Sequence, residues 1–408
     1  MTVTTPAPHA ARAAGLILSL CFAAALCEGF DIQAAGVSAP GIAREFHAAP
    51  GALGWFFSSA NLGLLIGAVI GGRLSDRLGR KPVLVASLGL FGLFSLATAL
   101  ASDMQSLTII RLLTGLGLGG CMPNLIAVAA GARGEAPRGG DIAISYLGMP
   151  LGGAVASLVA VLVPSEHWRQ VFMIGGVTPL ATGAAIFALL PASPGRPQPS
   201  PKTAAEAGPS ALSELFGGRL VQTVTLWVGV FLGVLTLHLM LNWLPLLLQA
   251  QGLSKSQAAL SQIGFNVGGA AGALLIGKLM DTDSRKPAIV LNLIALPAVL
   301  LLLAAIHGPT AGGLAIVLGG SALALQVVLF AVAGSLYAER VRGTGLGVAV
   351  GVGRFGSIVG PALGAVLLAS GGNSGQVLVG LFPIALAAGL CATVLAWPRA
   401  QTAELATH

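Results

Sequence analysis

The decapeptide GRLSDRLGRK, residues Gly72 to Lys81, is basic, bracketed by glycine, and lies between two long apolar stretches. A degraded echo, GKLMDTDSRK, occupies Gly277 to Lys286, 205 residues later and about half a chain away. Both copies fall between the second and third apolar stretch of their half. A chain built this way is a duplication, and duplicated apolar bundles facing one another are how repeat-built membrane carriers are made.

Outward from that loop, windows of about 20 apolar residues, the length needed to cross a hydrocarbon core, recur a dozen times. They fall near 15–37, 52–72, 82–101, 107–130, 142–163 and 171–190, then 219–241, 258–279, 288–306, 311–337, 345–369 and 377–396. The segment between the sixth and seventh, PASPGRPQPSPKTAAEAGPSALSELFGG, is rich in Pro, Ser and Ala and reads as a linker. The expected architecture is all-α and membrane-embedded, with 12 transmembrane helices in two pseudo-symmetric six-helix bundles. The expected divisions are 1–190, a cytoplasmic linker 191–218, and 219–408.

Composition agrees. The chain is 55% hydrophobic and 9% charged, against roughly 25% charged residues in soluble domains. The four cysteines, Cys21, Cys27, Cys121 and Cys391, sit in apolar stretches without metal or redox spacing, so no metal is expected and they read as core residues. The N-terminal MTVTTPAPHAARAAG carries only Arg12 and leads into a first span that contains acids, which reads as a helix rather than a cleaved signal.

The net charge of +7 follows from topology. With both termini on the cytoplasmic side, 16 of the 21 Lys and Arg fall inside, three (Arg44, Arg169 and Lys255) fall outside, and Arg111 and Arg354 fall within spans. Such a bias sets orientation in a membrane and removes any need for a nucleic-acid partner.

Two phosphate-like patterns dissolve in the same way. GALLIGKL (Gly272 to Leu279) lacks the Ser/Thr of a P-loop, and GVGRFG (Gly351 to Gly356) follows no strand. Both read as glycine-mediated helix packing. No catalytic constellation is present, so no enzyme and no cofactor are expected.

Ions inside apolar spans carry the functional information, because they are expensive there and line water-filled routes. Four qualify: Glu28, Asp31, Arg111 and Arg354. The i, i+3 spacing of Glu28 and Asp31 in CEGFDIQAAG puts both on one face of the first helix. Two carboxylates that close, in a poorly hydrated place, suit proton carriage. Each arginine offers a planar fork suited to a carboxylate, so Arg111 and Arg354 could bind substrate or hold the acids. The alternative for all four is a set of buried ion pairs fixing helix packing. Asn124, Tyr146, Asn242 and Gln326 are further candidate substrate contacts, each equally readable as helix-helix glue; so is His238. Trp243 and Phe355 could stack on an aromatic ring or simply pack. In the loop, Gly72, Asp76, Arg77, Gly79, Arg80 and Lys81 form a turn in which Asp76 could latch a neighbouring segment, and Arg342 belongs with this gating set.

On these residues the chain resembles the aromatic acid:H+ symporter family of the major facilitator superfamily. The resemblance runs over nearly the whole chain. It is carried by the loop signature G-x-x-x-D-R-x-G-R-K at Gly72 to Lys81; by the acidic-G-x-D motif at Glu28, Gly29 and Asp31; by Arg111 in RLLTGLGLGG; by Arg342 and Arg354; and by NWLPLLL and VAVGVGRFG. It implies alternating access and proton-coupled uptake of an aromatic carboxylate, a hydroxylated acid such as 3-(3-hydroxyphenyl)propionate. It also implies proton coupling through Glu28 and Asp31, and a monomer whose partners are substrate, protons and lipid. Glu28 stands where the wider family commonly has Asp, and the second loop copy is degraded. The alternative is a proton-coupled efflux antiporter of small organic or drug-like molecules, suggested by GSIVGPALG at Gly356 to Gly364, which resembles an exporter motif that belongs in helix 5 rather than helix 11.

Overall fold

A computed structural model describes residues 8–130, 147–190, 219–280, 282–337 and 339–397. The linker 191–218 and Tyr146 lie outside them. Among the described residues there are twelve α-helices and no strands. The first six are α1 (Pro8–Glu45), α2 (Pro50–Leu78), α3 (Arg80–Thr98), α4 (Met104–Ala130), α5 (Gly148–Leu162) and α6 (Arg169–Leu189). The second six are α7 (Leu220–Ala250), α8 (Lys255–Met280), α9 (Arg285–Ala305), α10 (Pro309–Leu336), α11 (Glu339–Ala369) and α12 (Ser374–Ala396). Eleven are long and apolar enough to cross a bilayer, and α5 is a shorter apolar helix. Several helices overrun the apolar windows: the first span, expected at 15–37, is a helix to Glu45, with Pro40 inside it. Hydropathy marks the oil-filled length, whereas backbone hydrogen bonding continues into the interface.

Glycine brings the helices together. In the first six, a methyl placed on Gly115 of α4 would lie 2.0 Å from the Ala60 carbonyl oxygen of α2, and one on Gly63 would lie 2.0 Å from that of Leu112. The second six repeat the arrangement, with Gly268 of α8 against Ile316 and Gly319 of α10 against Phe265. Without a hydrophobic drive between helices in lipid, this close approach and its van der Waals gain supply the association. Gly115→Val is therefore expected to part α2 from α4. Overpacking of this kind costs roughly 1–3 kcal/mol, readable as a lower unfolding temperature of the detergent-solubilised protein.

The loop after α2 is held locally. Gly79 ends α2 at φ 89° and donates its N–H to the Ser75 carbonyl at 2.9 Å; only glycine adopts that backbone freely. The basic residues that follow cap the carboxyl ends of neighbouring helices, where the helix dipole is negative. Arg80 Nη1 donates to the Ala127 carbonyl of α4 at 3.0 Å, and Lys81 Nζ to the Leu190 carbonyl just past α6. At the other end of α4, Asp103 accepts from the Ser106 N–H at 2.8 Å, and that bond holds its carboxyl below the usual range. The cap is therefore present at neutral pH and is lost as pH falls through its lowered pKa.

The two sets of six meet through α2 with α11, α5 with α8, and α1 with α7. Their described hydrogen bonds all fall at one end, the end that carries the α1–α2, α5–α6, α7–α8 and α11–α12 connections. There Ser58 donates to the Ile358 carbonyl at 2.7 Å, Gln33 to that of Leu241 at 3.0 Å, and Lys255 to that of Val163. Phe57 of α2 meets Trp243 of α7 edge to face, with ring centroids 5.2 Å apart. Toward the opposite end, Gly347 and Gly351 of α11 face open space. The carrier is thus clasped at one mouth.

Candidate functional site

The intramembrane ions gather along the inner face of α1. Asp31 is fully buried and Arg111 is 1% exposed. Arg111 Nη1 reaches Asp31 Oδ2 at 2.8 Å and Oδ1 at 3.0 Å, while Nη2 reaches the Asp31 main-chain carbonyl at 3.5 Å. Ser95 of α3 donates to Asp31 Oδ1 at 3.1 Å. The rings of Phe56 and Phe172 flank the guanidinium, 6.0 and 5.6 Å from its carbon, a cation–π setting closed to water. Arg111 Nε is left without a hydrogen bond among the described residues. In this state Arg111 holds an acid.

Glu28, one turn earlier, is equally buried, and its Oε2 has no hydrogen-bond partner among the described residues. The charges that act on it are Arg354 of α11, in the other half, and Asp31. Arg354 is only half-buried and also acts on His238 of α7. Arg354 is thus within electrostatic reach of both α1 and α7. His238 Nδ1 lies 3.1 Å from the Val234 carbonyl, a bond that leaves Nε2 as an acceptor. Gln326 of α10 is buried with both amide atoms unpaired among the described residues, against Gly233 of α7. Arg354, Glu28, His238 and Gln326 thus offer an arginine fork, a carboxyl, an imidazole and an unspent amide from α11, α1, α7 and α10, groups of the kind that a small organic anion and a proton engage.

Other candidates fall elsewhere. Asn124 spends its amide bridging α4 to α2, accepting from Ser75 Oγ at 2.5 Å and donating to the Gly120 carbonyl at 2.8 Å. Asn242 donates to the His238 carbonyl at 2.7 Å, and its backbone packs on Gly36 of α1. Trp243 is fully buried, donates to the Pro361 carbonyl at 2.9 Å and belongs to the clasped mouth, while Phe355 is 56% exposed. Asp76, Arg77 and Arg342 are exposed. Gly356 and Gly360 of GSIVGPALG pack on the Phe231 and Leu235 carbonyls of α7, which accounts for that motif as a helix contact.

Sequence reading missed the aromatic box of Phe56 and Phe172, the Ser95 hydroxyl, and the amides of Gln33, Gln262 and Asn266. Only the last group left a usable signal, three carboxamides inside apolar spans, with Gln262 and Asn266 one turn apart.

Comparison with known proteins identifies the family. The family profile described as Major Facilitator Superfamily matches residues 21–361. The chain is 39% identical over 409 residues to the 3-(3-hydroxy-phenyl)propionate transporter of Escherichia coli (strain K12), covering 98% of each. It is 33% identical to the gallate transporter of Pseudomonas putida, covering 87% of this chain and 86% of that one. In fold it is similar to the crystal structure of a D-xylose-proton symporter, with a TM-score of 0.74 at 17% identity, covering 92% of this chain and 96% of the other.

Proposed function

The chain belongs to the Major Facilitator Superfamily and is a secondary transporter rather than an enzyme; on that premise we propose that it takes up a hydroxylated aromatic carboxylate together with protons. The observation that carries this reading is the half-buried Arg354, whose charge reaches Glu28 from the other half, one helical turn from the sequestered Asp31–Arg111 pair; Glu28 Oε2 has no hydrogen-bond partner among the described residues. Among the described residues Arg354 is the intramembrane cation with no acid paired to it, and its fork matches a carboxylate. The 3-(3-hydroxyphenyl)propionate transporter sharing 39% of its residues supports an acid of that shape.

In the proposed cycle, the substrate carboxylate pairs with Arg354 while protons neutralise Glu28 and Asp31. A neutral Asp31 relaxes its hold on Arg111, and the loaded site, with both acids neutral and the substrate carboxylate matched by Arg354, can pass through the low-dielectric stage in which the halves rock. Loss of the protons on the far side restores the pair and releases the anion. The charge bias orients the molecule in a bacterial cytoplasmic membrane, with the loop at Gly72 to Lys81 and both termini inside. The clasped mouth then faces outward, and the present state is inward-facing. The halves are 1–190 and 219–408, working as a monomer, with Asp76 and Arg342 as gating residues that are exposed in this state.

Reconstituted vesicles given an inward proton gradient and a panel of labelled aromatic acids test the proposal. Accumulation of a hydroxylated aromatic acid, abolished by a protonophore, is expected. Arg354→Leu is expected to weaken apparent affinity by about 10- to 100-fold, the worth of a charge-assisted pair. Accumulation that ignores the gradient, or a panel with no acid accumulated, would reject the reading.

A further inference from the structure

The first helix is held from two sides by two residues that are neighbours but one. Asp31 is bound entirely within its own half, by Arg111 and Ser95. Gln33 is bound entirely by the other half. Its Nε2 donates to the Leu241 carbonyl of α7 at 3.0 Å, and its Oε1 accepts from Gln262 Nε2 at 2.9 Å and Asn266 Nδ2 at 3.3 Å, both of α8. Two residues along an α-helix turn it by about 200°, so the two side chains leave opposite faces. Gln33 is 1% exposed and Gln262 fully buried. The network sits in the clasped mouth, beside the tight contacts of Gly36 with the Leu241 carbonyl and Gly153 with the Asn266 side chain.

We propose that the Gln33 carboxamide is the latch that keeps the outer mouth shut, and that it ties the proton-carrying turn of α1 to the opposite half. The assignment rests on the reading of Asp31 as a coupling acid, but the latch can be tested without any substrate. Opening this mouth separates α1 from α7 and α8 and must break all three bonds. While it is shut they are fully desolvated, where an amide left unpaired is heavily penalised. A shift of α1 that follows loosening of Asp31 from Arg111 moves Gln33 by the same rigid helix. Gln33 is thus a positioning residue, acting on the conformational equilibrium rather than on cargo. Gln262 Oε1 has no partner among the described residues, so the network is held without being saturated.

The test uses the full chain with its four cysteines replaced by alanine and Ser38→Cys as reporter. Ser38 is 2% exposed in the shut mouth, and its hydroxyl has no partner among the described residues, so the reporter breaks no bond. A membrane-impermeant maleimide applied from outside reads how often the mouth opens. Gln33→Leu is expected to raise the labelling rate on the order of tenfold, because Gln262, Asn266 and the Leu241 carbonyl lose their partner when the mouth is shut. The triple variant Gln33→Leu, Gln262→Leu, Asn266→Leu, which strands only the Leu241 carbonyl, is expected to label more slowly than Gln33→Leu, between it and the parent; a merely structural role for Gln33 would not be rescued in this way. If Gln33→Leu does not reach the membrane, Gln262→Met reads the same latch from α8 with the same expected rise. Labelling unchanged in the single variants, or a triple variant as open as the single, overturns the latch. A latch that passes in a protein accumulating no aromatic acid would leave the fault with the substrate reading instead.

Discussion

Arg111→Leu is expected to destabilise the folded protein by about 3–5 kcal/mol, the usual consequence of breaking a buried ion pair by removing one partner. The carboxylate of Asp31 would keep only the Ser95 hydroxyl, at 3.1 Å, inside a box closed by Phe56 and Phe172. Heating the detergent-solubilised variant and following loss of the monodisperse peak should show a clear fall in unfolding temperature. Removing both charges, as Asp31→Leu with Arg111→Leu, should recover much of that loss, since a buried pair is often no more stable than the apolar residues that replace it. Proton-driven uptake should stay absent in the double variant. A single variant that melts with the parent would mean that the pair is open to water.

Glu28→Gln should separate binding from coupling. The substitution keeps volume, and the Oε2 that it alters has no hydrogen-bond partner among the described residues, so little packing is lost. A glutamine cannot carry a proton. Uphill accumulation under an imposed gradient is expected to collapse to a concentration ratio of about one, while exchange of labelled for unlabelled substrate across the membrane, which needs no net proton movement, persists. Gradient-driven accumulation at the parent level would remove Glu28 from the proton path. Loss of both activities with an intact fold would make it a substrate contact.

The two acids differ in how far sequence could describe them. That Glu28 and Asp31 lie on one face of α1 follows from a spacing of three. That Arg111, 80 residues away, holds Asp31 does not. The i, i+3 rule acts within one helix, whereas the pairing depends on which faces of α1 and α4 turn toward each other, and the packing of α4 on α2 and α3 helps decide that. Sequence left Arg111 open between substrate and acid, and the folded chain gives it an acid. Asn124 shows the same limit: its depth in an apolar span suited a ligand contact, but Ser75 takes its carbonyl oxygen. Gln33 was readable as a polar residue in oil, yet its partners at 241, 262 and 266 come from the other half of the chain.

By itself the sequence determined that this protein is a bundle of membrane helices, and it singled out the four ions that lie within apolar spans. Those conclusions rest on solvent, since hydrocarbon penalises charge and rewards runs of apolar residues whatever the tertiary arrangement. Tertiary structure alone decided which arginine is spent on an acid, and at which end the halves are hydrogen-bonded together. These depend on distances of about 3 Å between residues far apart in the chain, and a hydrogen bond fades over a few tenths of an ångström.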